Sequence, residues 1–134
     1  MNAVDTSVVV AAFASWHESH ARAAEAIAAR PRLIAHVATE SFAVLTRLPP
    51  AYRSPAALVV EFLASNFPQK AVVLPGTEHH GFLRRAADSG IRGGAIYDAL
   101  VAAAAKHEGL DLLTLDERAL PTYERLGATI RFLG

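Results

Sequence analysis

The chain has 134 residues, 52% of them hydrophobic, with 13 basic and 13 acidic side chains and a formal net charge of zero. That length suits one domain able to bury roughly two thirds of its unfolded surface, and the apolar content is too high for disorder. The lack of cysteine excludes a disulfide framework, a thiolate zinc site and a cysteine nucleophile, and the charge balance excludes the broad positive field of a strong nonspecific nucleic-acid binder.

The N-terminal MNAVDTSVVVAAFASW resembles a secretory leader only superficially. It has no positive n-region, Asp5 interrupts it, and no apolar run approaches the roughly 18 residues of a membrane span. The chain therefore reads as a mature, folded cytoplasmic protein with no membrane partner. Residues 3–5 are expected to form a short strand ending at Asp5. Thr6 and Ser7 are good caps, and a helix should follow through Phe13. A second helix is expected over 17–29, closed before Pro31, and a short strand over 32–35. The apolar stripe Val37, Val44, Leu45 and Leu48 predicts a helix over 37–48, stopped by Pro49-Pro50. Ser54-Pro55, with Ser as cap and Pro in the first turn, should open another helix to about residue 66. A β-branched strand over 71–74 and a helix over 77–89, ended by Gly90, come next. Gly93-Gly94 leads into a helix over 95–107, and Gly109 precedes a strand over 111–115. Pro121 should divide the following segment into a turn and a short helix before a last strand over 129–133. Short apolar strands alternating with helices point to an α/β domain whose mostly parallel sheet is covered on both faces.

Ligands in such sheets bind outside the carboxyl ends of the strands. Asp5 ends the first strand, Asp116 ends or just follows the fourth, and Glu40 lies near the start of the helix after the second. These three acids should share one edge. The rule does not place Asp98, whose helix follows another helix through a glycine-rich loop. Each acid also has a plainer reading. Asp5 and Asp116 are favoured helix caps, Glu40 could be solvated at the margin of its stripe, and Asp98 could be paired with an arginine. Asp98 fits the plain reading worst, because Ala95, Val101, Ala102 and Ala105 surround it at helical spacing and a lone buried aspartate costs several kcal/mol. Two unit charges a few ångströms apart repel by about 4 kcal/mol at an effective dielectric near 20. Converging acids must therefore take up protons or hold a cation. Hard oxygen donors without His or Cys suit Mg²⁺ or Mn²⁺, ions that serve phosphodiester chemistry.

DTSVVVAAF around Asp5, TESFAVLTRLPP around Glu40, GGAIYDALVAAAA around Asp98 and LLTLDERA around Asp116 resemble, in order and across nearly the whole chain, the four acidic motifs of the PIN domain. More narrowly they resemble those of the VapC-type ribonuclease toxins. The resemblance implies one PIN domain over residues 1–134, a three-layer α/β/α fold with a mostly parallel sheet of about five strands. It implies an endoribonuclease that hydrolyses RNA by in-line attack of a metal-bound water, leaving a 5′-phosphate and a 3′-hydroxyl. Asp5 and Asp98 would be the metal ligands for Mg²⁺ or Mn²⁺, with Glu40 and Asp116 completing the catalytic set and Thr114 as a supporting hydroxyl. A VapB-type antitoxin and a homodimer are the implied protein partners. Arg47, Arg92 and Arg118 are candidate contacts for RNA phosphates. The alternative is a PIN-like or receiver-like regulatory domain without nuclease activity, although a receiver needs a late lysine and the only lysines, Lys70 and Lys106, do not follow strands.

Other signals carry less. His17-Glu18-Ser19-His20 lacks the spacing of a zinc-protease motif and reads as a solvated helix face. His79-His80 reads as surface. Gly90, Gly93 and Gly94 match no dinucleotide fingerprint and suit a tight turn beside the site. Phe13 and Trp16 are expected in the core, or else in a groove for an antitoxin helix.

Overall fold

The computed structural model describes residues 1–134. Its centre is a parallel sheet in which β1 (Asn2–Val4) lies between β2 (Arg32–Leu33) and β3 (Asp111–Thr114), and β3 pairs in turn with β4 (Ile130–Phe132). Ala3 stands opposite Arg32 and Leu112, and Val4 opposite Leu33 and Leu113. The two inner strands run through the middle of the core: Ala3, Val4, Leu112 and Leu113 are all buried. The segment expected as a further strand over 71–74 contributes only one parallel bridge, Val72 to Ile34. Val72 donates to the Leu33 carbonyl and accepts from Ala35, both at 2.8 Å. Pro75 has no N–H to extend the ladder, and Val73 points outward, so the segment stays a short edge.

Seven α-helices cover the sheet: α1 (Thr6–Phe13), α2 (His20–Ala28), α3 (Ala35–Thr46), α4 (Ala56–Asn66), α5 (His79–Asp88), α6 (Ala95–His107) and α7 (Leu120–Arg125). Right-handed crossovers put α1 to α4 on one face and α5 to α7 on the other, giving the expected three layers. The chain winds outward from β1 through β2 to Val72, returns to β3, and continues the other way to β4. Direction therefore reverses between β1 and β3, where open α/β sheets form their binding crevices.

Several boundaries differ from expectation. The α2 helix starts at His20 rather than at 17, because residues 14–19 make two successive turns, with His17 N–H bonded to Ala14 O and His20 N–H to His17 O. Ser54 does not cap α4; Pro55 takes that place, and the Ser54 hydroxyl bonds to the Pro55 carbonyl instead. Pro121 sits in the first turn of α7, where its missing N–H costs nothing, and a 3-10 turn, Glu117–Ala119, precedes it. The α6 helix has the expected ends. Val101 to Ala105 are consecutive buried residues, so alanine here permits close approach on several sides at once. Gly109, at φ 68°, turns the chain out of that helix into β3.

Trp16 is not in the core. It is 53% exposed and leans on Tyr52, with ring centroids 4.6 Å apart. Phe13 is partly buried, edge-on to Phe62 at 5.2 Å. No helix is long and apolar enough to cross a membrane.

Candidate active site

A cleft of about 530 Å³ opens at the carboxyl ends of β1 and β3. Asp5, Glu40, Asp98 and Asp116 all line it, each from a different element. Asp5 follows β1 directly and caps α1, accepting from Val8 N–H at 3.3 Å. Asp116 lies two residues past β3 and caps the 3-10 turn, accepting from Arg118 N–H at 3.0 Å. The plain capping role of both acids is thus real, and it also fixes them at the cleft. Glu40 comes from the second turn of α3 and accepts a hydrogen bond from the Thr6 hydroxyl. Asp98 sits in the first turn of α6, where the helix dipole favours a negative charge, and Gly93 at φ 62° turns the preceding loop toward it. No arginine neutralises Asp98: the molecule's two ion pairs join His107 to Glu78 and Arg118 to Asp116.

Asp5 is only 3% exposed. Four donors surround it: Val8 N–H and the Ser7 hydroxyl on Oδ1, the Thr114 and Tyr123 hydroxyls on Oδ2. Thr114 is braced in turn, because its Oγ1 accepts from Asp116 N–H at 2.9 Å. One side chain therefore ties two of the acids to the end of β3. Burial pushes the Asp5 carboxyl up from the ordinary carboxylate range, against the pull of its hydrogen bonds. The Asp98 carboxyl is pushed up to about 6, first by burial and then by the charges of Glu40, Asp116 and Asp5, with His36 opposing. The Tyr123 hydroxyl is held well above its usual range by burial and by Asp5, so it remains a neutral donor.

Five carboxylates, counting Glu18, face this cleft against one guanidinium, that of Arg118. The donor set is oxygen only apart from His17, which suits a hard dication. Yet no group of three or more His, Asp or Glu side chains is arranged to chelate an ion directly. Asp5 has its acceptors engaged and Glu40 holds Thr6, so the arrangement fits a partly hydrated ion touched by one or two carboxylates, the usual habit of magnesium.

Arg118 lines the cleft, with its Nε 3.9 Å from Asp116. Arg47 and Arg92 do not. Both are exposed, Arg47 at the end of α3 about 10 Å beyond Glu40 along the helix axis and Arg92 in the loop before α6. His17, Glu18 and Ser19, expected on a solvated helix face, are instead cleft residues, because the turn between α1 and α2 folds over the mouth. Tyr123 was not singled out from the sequence, yet its hydroxyl lies on Asp5 and borders the cleft. Lys70 and Lys106 take no part in the cleft, which removes the lysine a receiver would require.

Residues 3–125 match the PIN domain family. The chain is 44% identical to Ribonuclease VapC40 from two strains of Mycobacterium tuberculosis, over 99% of both sequences. It is also 37% identical to Ribonuclease VapC27 from Mycobacterium tuberculosis, over 96% of this chain and 93% of that protein. With the acidic cleft standing where the strand order reverses, and a family match covering nearly its whole length, the chain belongs to the PIN domain family.

Proposed function

We propose that this chain is a metal-dependent endoribonuclease, the toxin of a toxin–antitoxin pair, built as one PIN domain over residues 1–134 and acting in the cytoplasm. The observation that carries this reading is the convergence of Asp5, Glu40, Asp98 and Asp116 on one cleft, close enough that three of them raise the Asp98 carboxyl. The names of the relatives, each a ribonuclease VapC, supply the substrate class.

Asp5 and Asp98 are the residues we assign to hold Mg²⁺ or Mn²⁺, with Glu40 and Asp116 reaching it through water. Such an ion, when bound, supplies water activation and neutralises charge on the phosphoryl oxygens. The protein's own groups do the rest. Thr114, Ser7 and Val8 N–H fix the Asp5 carboxylate, and Thr6 fixes Glu40. Arg118, at the rim, is placed to meet an RNA phosphate that would otherwise be repelled by five carboxylates.

The protein partners are a VapB-type antitoxin and a second copy of this chain. Trp16 and Tyr52 are each more than half exposed and lie against one another, which supports a protein-covered surface there.

The test is cleavage of structured RNA by protein purified free of any partner. With Mg²⁺ or Mn²⁺ the wild type should cut, and EDTA should abolish cutting. Asp98→Asn should lower the rate by about a hundredfold or more, since it removes a charge aimed at the reacting phosphate's counterion. A mutant as active as wild type would contradict the assignment.

A further inference from the structure

An ionised carboxylate offers about four lone-pair sites, and Asp5 has four protein donors on it. As it stands, Asp5 can give no lone pair to a cation unless one donor withdraws. The four donors are not equally free. Val8 N–H belongs to the first turn of α1. The Ser7 hydroxyl oxygen accepts from Leu115 N–H at 2.8 Å, which turns its proton toward Asp5. The Thr114 hydroxyl is held the same way by Asp116 N–H at 2.9 Å. Each of these hydroxyls is aimed by a backbone amide. Tyr123 is different: its hydroxyl touches Asp5 Oδ2 at 2.7 Å, bonds to no other protein group, and borders the cleft.

We propose that the Tyr123 hydroxyl is a displaceable placeholder on Asp5. It satisfies the buried carboxylate while no cation is bound, and it surrenders that lone pair when a divalent cation enters the cleft. Tyr123 is on this view a positioning residue, and a brake on metal affinity, because every binding event must first break its bond. A merely structural tyrosine would show the opposite sign: its removal would loosen Asp5 and weaken binding. The proposal rests on the metal-holding role assigned to Asp5 above.

The experiment is a Mn²⁺ titration of the intact chain, read by the electron paramagnetic resonance of free Mn²⁺, for wild type, Tyr123→Phe and Asp98→Asn. Tyr123→Phe keeps the ring and deletes the hydroxyl. It should bind Mn²⁺ more tightly, by up to about tenfold, the scale of one charge-assisted hydrogen bond. It should also melt at a lower temperature without metal, with the deficit narrowing at saturating Mn²⁺. A folded Tyr123→Phe that binds Mn²⁺ as wild type does, or more weakly, overturns the placeholder and leaves the metal site standing. Wild type that binds no Mn²⁺, or binds it equally well in Asp98→Asn, overturns the metal site itself and the placeholder with it. A second measurement does not depend on the variant's folding. In wild-type protein, Mg²⁺ should shift the ultraviolet absorption of a tyrosine released from a carboxylate; an unchanged tyrosine spectrum at saturating Mg²⁺ counts against displacement.

Discussion

Asp98 joins a cost to the fold with the metal-holding role proposed for it. Burial, and then the charges of Glu40, Asp116 and Asp5, push its carboxyl from the ordinary 3.8 up to about 6. A raised carboxyl means that the folded, metal-free protein holds a proton that the unfolded chain has released between about pH 4 and 6. Stability from this group is therefore fully present below the lower value and is lost as pH rises through the upper one. The expected outcome is that metal-free wild type loses stability relative to Asp98→Asn as pH climbs from about 4 to 6, and that the mutant is the more stable of the two above about pH 7. Thermal melts of both proteins in EDTA across that range check it; parallel curves would contradict it. Thr114 tests the opposite case, a neutral side chain that the acids need. It is fully buried, donates to Asp5 and accepts from Asp116 N–H. Thr114→Val keeps the shape but leaves a buried carboxylate one donor short and orphans an amide, so a loss of about 2–4 kcal/mol is expected in urea denaturation.

At the scale of elements, legibility followed the strength of local chemistry. The α6 helix was readable to its ends because glycines bracket it, and β1 and β3 because short apolar runs stop at acids. Placing Asp5, Glu40 and Asp116 needed only the rule about strand ends. Asp98 reached the cleft through the packing of α6 against α3, a long-range contact that periodicity does not encode. Residues 17–19 were read as helix because histidine, glutamate and serine carry no strong breaker, and three cleft residues were discounted with them. Trp16 was expected in the core, with an exposed groove as the alternative, and its exposure goes with the loop before α4 that brings Tyr52 against it. The direction of the Tyr123 hydroxyl was beyond reach, since one buried tyrosine reads like another until its neighbours are known. The alanines of α6 make an element-scale prediction. Ala102 is fully buried between layers, so Ala102→Leu should overpack the helix and cost about 1–3 kcal/mol by denaturant midpoint. The same change should weaken Mn²⁺ binding, because α6 carries Asp98; unchanged stability would mean the helix has room to shift.

At the scale of the whole molecule, the fold gathers anions that would repel one another in any open arrangement. The strand order reverses between β1 and β3, and two acids cap the elements that leave those strands. Helices from the two opposite faces bring the other two. An uncompensated set of this size would be costly for a domain whose net stability is about 5–15 kcal/mol. Three devices offset the cost: hydroxyl and amide donors on Asp5, the Thr6 bond to Glu40, and the shared proton affinity of Asp98. On the function proposed above, a bound dication would be the fourth, and it would convert repulsion into chemistry. Anomalous diffraction from crystals of the chain soaked in Mn²⁺ tests that most directly. A manganese peak is expected in the cleft, in contact with Asp98 and within one water of Asp116. A protein saturated with Mn²⁺ whose peaks all lie elsewhere on the surface would contradict it.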